Sequence, residues 1–141
     1  MRRLTMCTVV AASLCVAASA AAQDESFTLG AGFLPDPMVG SGTSGGDVDA
    51  DVHGAGCVGR VGVAPDHVLT VESEVAMSIT VESAADTTLV VTTGRVSWCD
   101  DDSGSAANPQ VDVVLAPGQY QIYVGAMGDP APYTISLSEN L

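Results

Sequence analysis

Ala76-Met77-Ser78-Ile79-Thr80-Val81-Glu82 alternates apolar and polar residues without a break. In an extended strand, successive side chains point to opposite faces. Met77, Ile79 and Val81 therefore share one face, and Ser78, Thr80 and Glu82 the other. One face is suited to a core and the other to water. This pattern predicts a strand of an antiparallel sheet packed on one side only.

The same pattern continues outward in both directions. Downstream, Ala84-Ala85-Asp86 turns the chain, and Thr87 to Thr92 pairs with 95–99 around Thr93-Gly94. Val111, Val113 and Leu115 share a face opposite Asp112. Ala116-Pro117-Gly118 is a turn signal. Tyr120, Ile122 and Val124 then alternate with Gln119, Gln121 and Tyr123, which places Tyr120 inside and Tyr123 in water. Residues 128–132 form a loop, and Tyr133, Ile135 and Leu137 close the series.

Upstream, 67–72 and 58–63 read as strands on either side of Ala64-Pro65-Asp66. Residues 27–34 read as a first strand ended by Pro35-Asp36-Pro37. The run 40–46, Gly-Ser-Gly-Thr-Ser-Gly-Gly, reads as a flexible loop by composition. Eight or nine short strands at roughly ten-residue spacing predict an all-β fold. The expected architecture is an antiparallel β-sandwich with jelly-roll or Greek-key connections. The sequence does not fix the strand order.

The N-terminus reads as a secretion signal over 1–22. Arg2 and Arg3 precede an apolar stretch from Met6 to Val16. Ala18-Ser19-Ala20 and Ala20-Ala21-Ala22 both fit a small-x-small cleavage site. A transmembrane anchor is the rival reading, but the stretch is short and lacks a basic flank after it. Leu14 before Cys15 argues against lipidation. The expected mature chain starts near Gln23, and 23–141 suits one domain.

All 17 acidic residues follow the signal, and only Arg60 and Arg95 oppose them. The processed chain thus carries a net charge of −15, two cations against 17 anions. Such a surface repels nucleic acid and anionic membranes, and attracts divalent cations and basic partners. The apolar fraction of 47% is strongly patterned, which argues against disorder. Nothing after the signal predicts a membrane-embedded protein.

Cys7 and Cys15 leave with the signal, so Cys57 and Cys99 remain. In an oxidising compartment these two are expected to pair. The loop closed is about 40 residues, worth roughly 4 kcal/mol on the chain-entropy model. Two free thiols, or a metal site shared with His53, are the alternatives. Trp98 is expected to pack beside that bridge, with ligand stacking as its rival role.

Two acidic runs stand out. Asp47-Val48-Asp49-Ala50-Asp51 opens like an EF-hand loop. However, Val52 stands where that loop needs Gly, and Val58 where it needs Glu. A solvated acidic face and a cation site of another geometry both stay open. Asp100-Asp101-Asp102-Ser103-Gly104, followed by Asn108-Pro109, leaves the strand that ends in Trp98 and Cys99. Three adjacent carboxylates repel one another unless something positive joins them. If Thr87 to Thr92 and 95–99 form a hairpin, Asp86 and Asp100 face each other at its open end. Asp86, Asp100, Asp101, Asp102 and Asn108 are therefore the candidate metal ligands. Calcium, which takes six to eight oxygens, is the cofactor such a set suits. A solvated turn is the alternative.

Residues 67–138 resemble the bacterial pre-peptidase C-terminal domain. The matching pieces are Ser78-Ile79-Thr80-Val81-Glu82-Ser83, Asp86-Thr87-Thr88-Leu89, and the acidic turn at 100–102. Leu115-Ala116-Pro117-Gly118-Gln119-Tyr120, Tyr123-Val124 and Tyr133-Thr134-Ile135-Ser136-Leu137 complete them. Asp86 and Asp100, Asp101 and Asp102 match acidic positions of that pattern. The resemblance implies a compact β-sandwich of the kind appended to secreted peptidases. Some members bind calcium and some an insoluble substrate such as collagen. This chain has no peptidase domain and looks like a free-standing member.

No catalytic motif is present. There is no Gly-x-Ser-x-Gly elbow, no His-Glu-x-x-His, and no phosphate-cradling Gly loop followed by Lys. The expectation is a secreted or periplasmic, non-catalytic binding module. Its partner would be an extracellular or periplasmic protein or polysaccharide. The alternative is an accessory or inhibitor module acting on an exported peptidase.

Overall fold

A computed structural model describes residues 25–140. The signal segment and the expected mature start near Gln23 lie outside the described residues. Eleven strands follow in order: β1 Glu25–Leu29, β2 Met38–Thr43, β3 Val48–Asp49, β4 Arg60–Val61, β5 His67–Val71, β6 Val75–Ser83, β7 Thr87–Thr92, β8 Ser97–Asp100, β9 Gln110–Leu115, β10 Gly118–Ala126 and β11 Pro132–Glu139. The only helical pieces among the described residues are 3-10 turns at Ala50–His53 and Ser105–Ala107.

The strands make the two sheets of an all-β sandwich. One sheet runs β2-β11-β6-β9, antiparallel throughout. The seven-stranded sheet is built on β10. Its residues 118–122 pair with β5 and its residues 121–126 with β7. Ala126 pairs with both Thr87 and Arg60, so β4 takes the edge of β10 that β5 has left free. β3 continues beyond β4, β8 lies outside β7, and β1 runs parallel to β5. That parallel pair departs from the antiparallel expectation.

The inward rows of the two sheets form the main core. Val75, Met77, Ile79 and Val81 of β6 are buried, as the alternation predicts, against Leu69, Leu89, Ile122, Ile135 and Leu137. Tyr120 and Tyr133 are inside as expected, and Trp98 packs against this core. No helix among the described residues is long and apolar enough to cross a membrane.

The run expected to be a loop at 40–46 is partly a strand. β2 pairs with β11 from Met38 to Thr43. The glycine at 42 supplies room rather than flexibility: a Cβ there would lie 2.5 Å from the Tyr133 hydroxyl oxygen. That hydroxyl sits 2.7 Å from His67 Nε2, and both residues are buried. The contact joins β5 of one sheet to β11 of the other. The first strand also ends earlier than expected, at Leu29, because the Phe33 N–H donates to the Gly30 carbonyl in a turn.

Tyr123 corrects a further expectation, since it is buried. Residues 47–61, the strap, contain the edge strands β3 and β4, and the segment 50–59 between them lies over the outer face of the seven-stranded sheet. Ala50, Cys57 and Val61 pack there on Val90 and Tyr123 as a second, smaller core. The strap is pinned by the Cys57–Cys99 disulfide, with Cα atoms 5.2 Å apart. The bridge removes the free-thiol and His53-metal alternatives. His53 instead stacks on Tyr123 at 4.3 Å between ring centroids. Ser97 Oγ donates to the His53 carbonyl at 2.7 Å.

Thr88 is buried beside Gly125 and Gly59, and its hydroxyl has no partner among the described residues. A buried hydroxyl without a partner costs its desolvation. Thr88→Val keeps the shape and is expected to raise stability by about 1 kcal/mol. A thermal melt of the variant checks this, and a lower melting temperature would mean that the hydroxyl is satisfied after all.

Candidate functional site

β7 and β8 form a hairpin with Leu89 opposite Asp100 and Thr92 opposite Ser97. Its closed end is fixed by hydroxyls. Thr92 Oγ1 accepts from the Gly94 N–H, and Thr93 Oγ1 from the Arg95 and Val96 N–H groups. Asp86 precedes β7, and Asp101 and Asp102 follow β8. All three therefore lie at the open end, together with Asp100.

Asp100 and Leu89 are cross-strand partners, so their side chains share a face of the sheet. Asp100 thus points toward the neighbouring sheet. Its Oδ2 accepts from the Gln110 N–H of β9 and from the Ser103 N–H, both at 2.9 Å, and Ser103 Oγ donates to its Oδ1. Asp100 thereby ties the edge of one sheet to the edge of the other. Burial works against its charge, but the hydrogen bonds from Ser103 and Gln110 outweigh it and hold the carboxyl below the usual range.

Asp101 shifts the other way. Partial burial, then the charges of Asp102, Asp100 and Asp86, push its carboxyl up. Asp102 is exposed. Asp100, Asp101 and Asp102 each offer a carboxylate oxygen within 4.8 Å of the others. Among the described residues this is the one such group of metal-ligating side chains.

Asn108 turns its amide elsewhere. Its Oδ1 accepts from the Ser83 N–H at 3.1 Å, and its Nδ2 donates to the Ser105 carbonyl at 3.0 Å. It shapes the loop rather than filling it. The Gly104 N–H donates to the Asn108 carbonyl, and Ala106 and Ala107 take left-handed backbone to complete the return.

The other acidic run is arranged differently. Arg60 forms an ion pair with Asp49 at 2.7 Å and donates to the Asp47 carbonyl. Asp51 enters a 3-10 turn. The structure does not gather Asp47, Asp49 and Asp51 into a ligand set.

Sequence reasoning missed the groups that hold Asp100. The Asp-x-x-Ser spacing of Asp100 and Ser103 is a local turn signal that could have been read. Gln110 belongs to the opposite sheet and left no local sign. The two histidines lie apart, His67 in the main core against Phe27 and Tyr133, and His53 on the strap. A cleft of about 60 Å³ lined by Thr80, Glu82, Gly104, Asn108 and Gln110 has room for water but not for an organic ligand.

No family model matches the chain, and no curated protein matches it in sequence. Among solved structures the chain is similar to the pre-peptidase C-terminal domain of a collagenase from Bacillus anthracis. The TM-score is 0.50 at 16% identity, over 82% of this chain and 96% of that one. The resemblance read from 67–138 thus holds at the level of fold. A periplasmic inhibitor of g-type lysozyme from Aeromonas hydrophila matches at a TM-score of 0.45 and 16% identity, over 83% of this chain and 99% of that one. That second likeness is too slight to bear on function.

Proposed function

We propose that the protein is an exported, non-catalytic β-sandwich module that binds calcium at the open end of the β7–β8 hairpin. Asp101 and Asp102 are the main ligands, with Asp86 and Asp100 contributing charge and Asn108 holding the loop. The observation that carries this reading is the gathering of three carboxylate oxygens within 4.8 Å on a loop already fixed by Asp100. Calcium would relieve the repulsion that raises the Asp101 carboxyl. Export is supported by the signal-like N-terminus and by a disulfide, a bond that forms chiefly in oxidising compartments.

The test is a thermal melt in millimolar calcium and in chelator. A ligand that binds only the folded state at ten times its Kd adds about 1.4 kcal/mol, a rise of roughly 5 °C for a domain of this size. Asp101→Asn with Asp102→Asn is expected to abolish the rise. Equal melting temperatures with and without calcium in the wild type would refute the reading. A rise that survives in the double variant would refute this location.

Asp101 supplies a check in the absence of calcium. Its carboxyl holds a proton more tightly in the folded than in the unfolded chain, so its ionisation at neutral pH costs stability. Asp101→Asn alone should therefore raise the melting temperature in chelator. The gain is a few tenths of a kcal/mol, because the loop is solvated.

A further inference from the structure

The strap is attached to the sandwich differently from every other segment. Its own ladder is two residue pairs between β3 and β4, and one pair joins β4 to β10. The Arg60–Asp49 ion pair lies at the surface, where such pairs contribute little. Its apolar contacts belong to the smaller core on the outer face, while the main core lies between the sheets. Gly45, with φ +96°, marks the turn by which the chain enters the strap, and Gly46 lets it pass close to the Val61 backbone. Cys57 is thus the one covalent tie between the strap and β8.

We propose that the Cys57–Cys99 disulfide is a redox latch, whose reduction frees the strap from the sheet without unfolding the sandwich. Cys57 is buried, whereas Cys99 is only half-buried, so a reductant approaches the bridge from the Cys99 side. A thiolate of a dithiol attacks Cys99 Sγ, forms a mixed disulfide and expels Cys57 as a thiolate, which takes up a proton. The second thiol of the dithiol then attacks the mixed disulfide and releases Cys99. The protein gains two electrons and two protons, and the dithiol becomes a disulfide. Without the latch, local opening needs only the small outer core and a few hydrogen bonds to break. Opening uncovers Val90 and Tyr123, an apolar strip that the closed strap hides.

Hydrogen exchange on the mature protein, with and without dithiothreitol, tests this. Alkylation mass confirms that both thiols are free. Amides in 47–61 are expected to exchange at least about tenfold faster after reduction, while those of β6, β10 and β11 stay protected. Cys57→Ser with Cys99→Ser should show the same pattern without reductant. Joint loss of protection across both sheets would overturn the proposal, because the bridge would then hold the whole fold. Unchanged exchange in 47–61 would overturn it too, as would a double variant that does not fold.

Discussion

Gly42→Ala is expected to lower the melting temperature by about 10 °C, the equivalent of about 3 kcal/mol in a domain of this size. The added Cβ would meet the Tyr133 hydroxyl oxygen at 2.5 Å and the ring carbon that carries it at 2.7 Å. The backbone of β2 is held by six register pairs to β11, so the tyrosine has to move. Moving it breaks the contact between Tyr133 and His67, which crosses from one sheet to the other inside the core. Losing that buried hydrogen bond is part of this cost, roughly 1–2 kcal/mol of it. Tyr133→Phe separates the two effects, since it removes the hydroxyl and leaves the glycine uncrowded. It is expected to cost about half as much as Gly42→Ala. A melt of Gly42→Ala that matches the wild type would mean that β2 does not lie against Tyr133 in solution.

The second large effect is at Asp100. Asp100→Ala removes the acceptor for Ser103 Oγ and for the Ser103 and Gln110 N–H groups, and so loosens the edge between β8 and β9. Hydrogen bonds to a charged acceptor are stronger than neutral ones. Partial solvent exposure reduces the net loss to about 2 kcal/mol, or roughly 7 °C. The pH dependence has a definite sign. The folded carboxyl lies below its ordinary value, so its contribution is full above the unfolded pKa and is lost as pH falls through the folded one. The stability difference between wild type and Asp100→Ala should therefore be constant above about pH 3.9 and shrink as pH falls below it. Parallel curves across the acid range would contradict the assignment.

Asp100 and Asp101 are neighbours whose carboxyls shift in opposite directions from the ordinary value, and the reason is geometric. One faces the other sheet and collects donors, and the other faces its own kind. A string of three aspartates does not reveal which is which. The hairpin itself was legible, because Thr87–Thr92 has strand composition and Thr93-Gly94 is a turn signal. So was β6, whose alternation runs unbroken.

The misreadings share one cause, which is that distant segments decide them. Gly40 and Gly42 resemble a loop until β11 and Tyr133 are placed beside them. Tyr123 alternates to the outer face as the sequence predicts, but a segment some 70 residues upstream covers that face. The parallel pairing of β1 with β5 likewise depends on which edge the rest of the sheet leaves open. Periodicity describes one strand at a time. It carries no record of what is packed on either face.

The most direct measurement of the calcium reading is a titration of the isotope-labelled mature protein followed by amide resonances. The account predicts saturable shifts confined to Asp86 and to 100–104, reached at millimolar calcium or below. No shifts at these positions, or shifts centred on Asp47, Asp49 and Asp51, would contradict it.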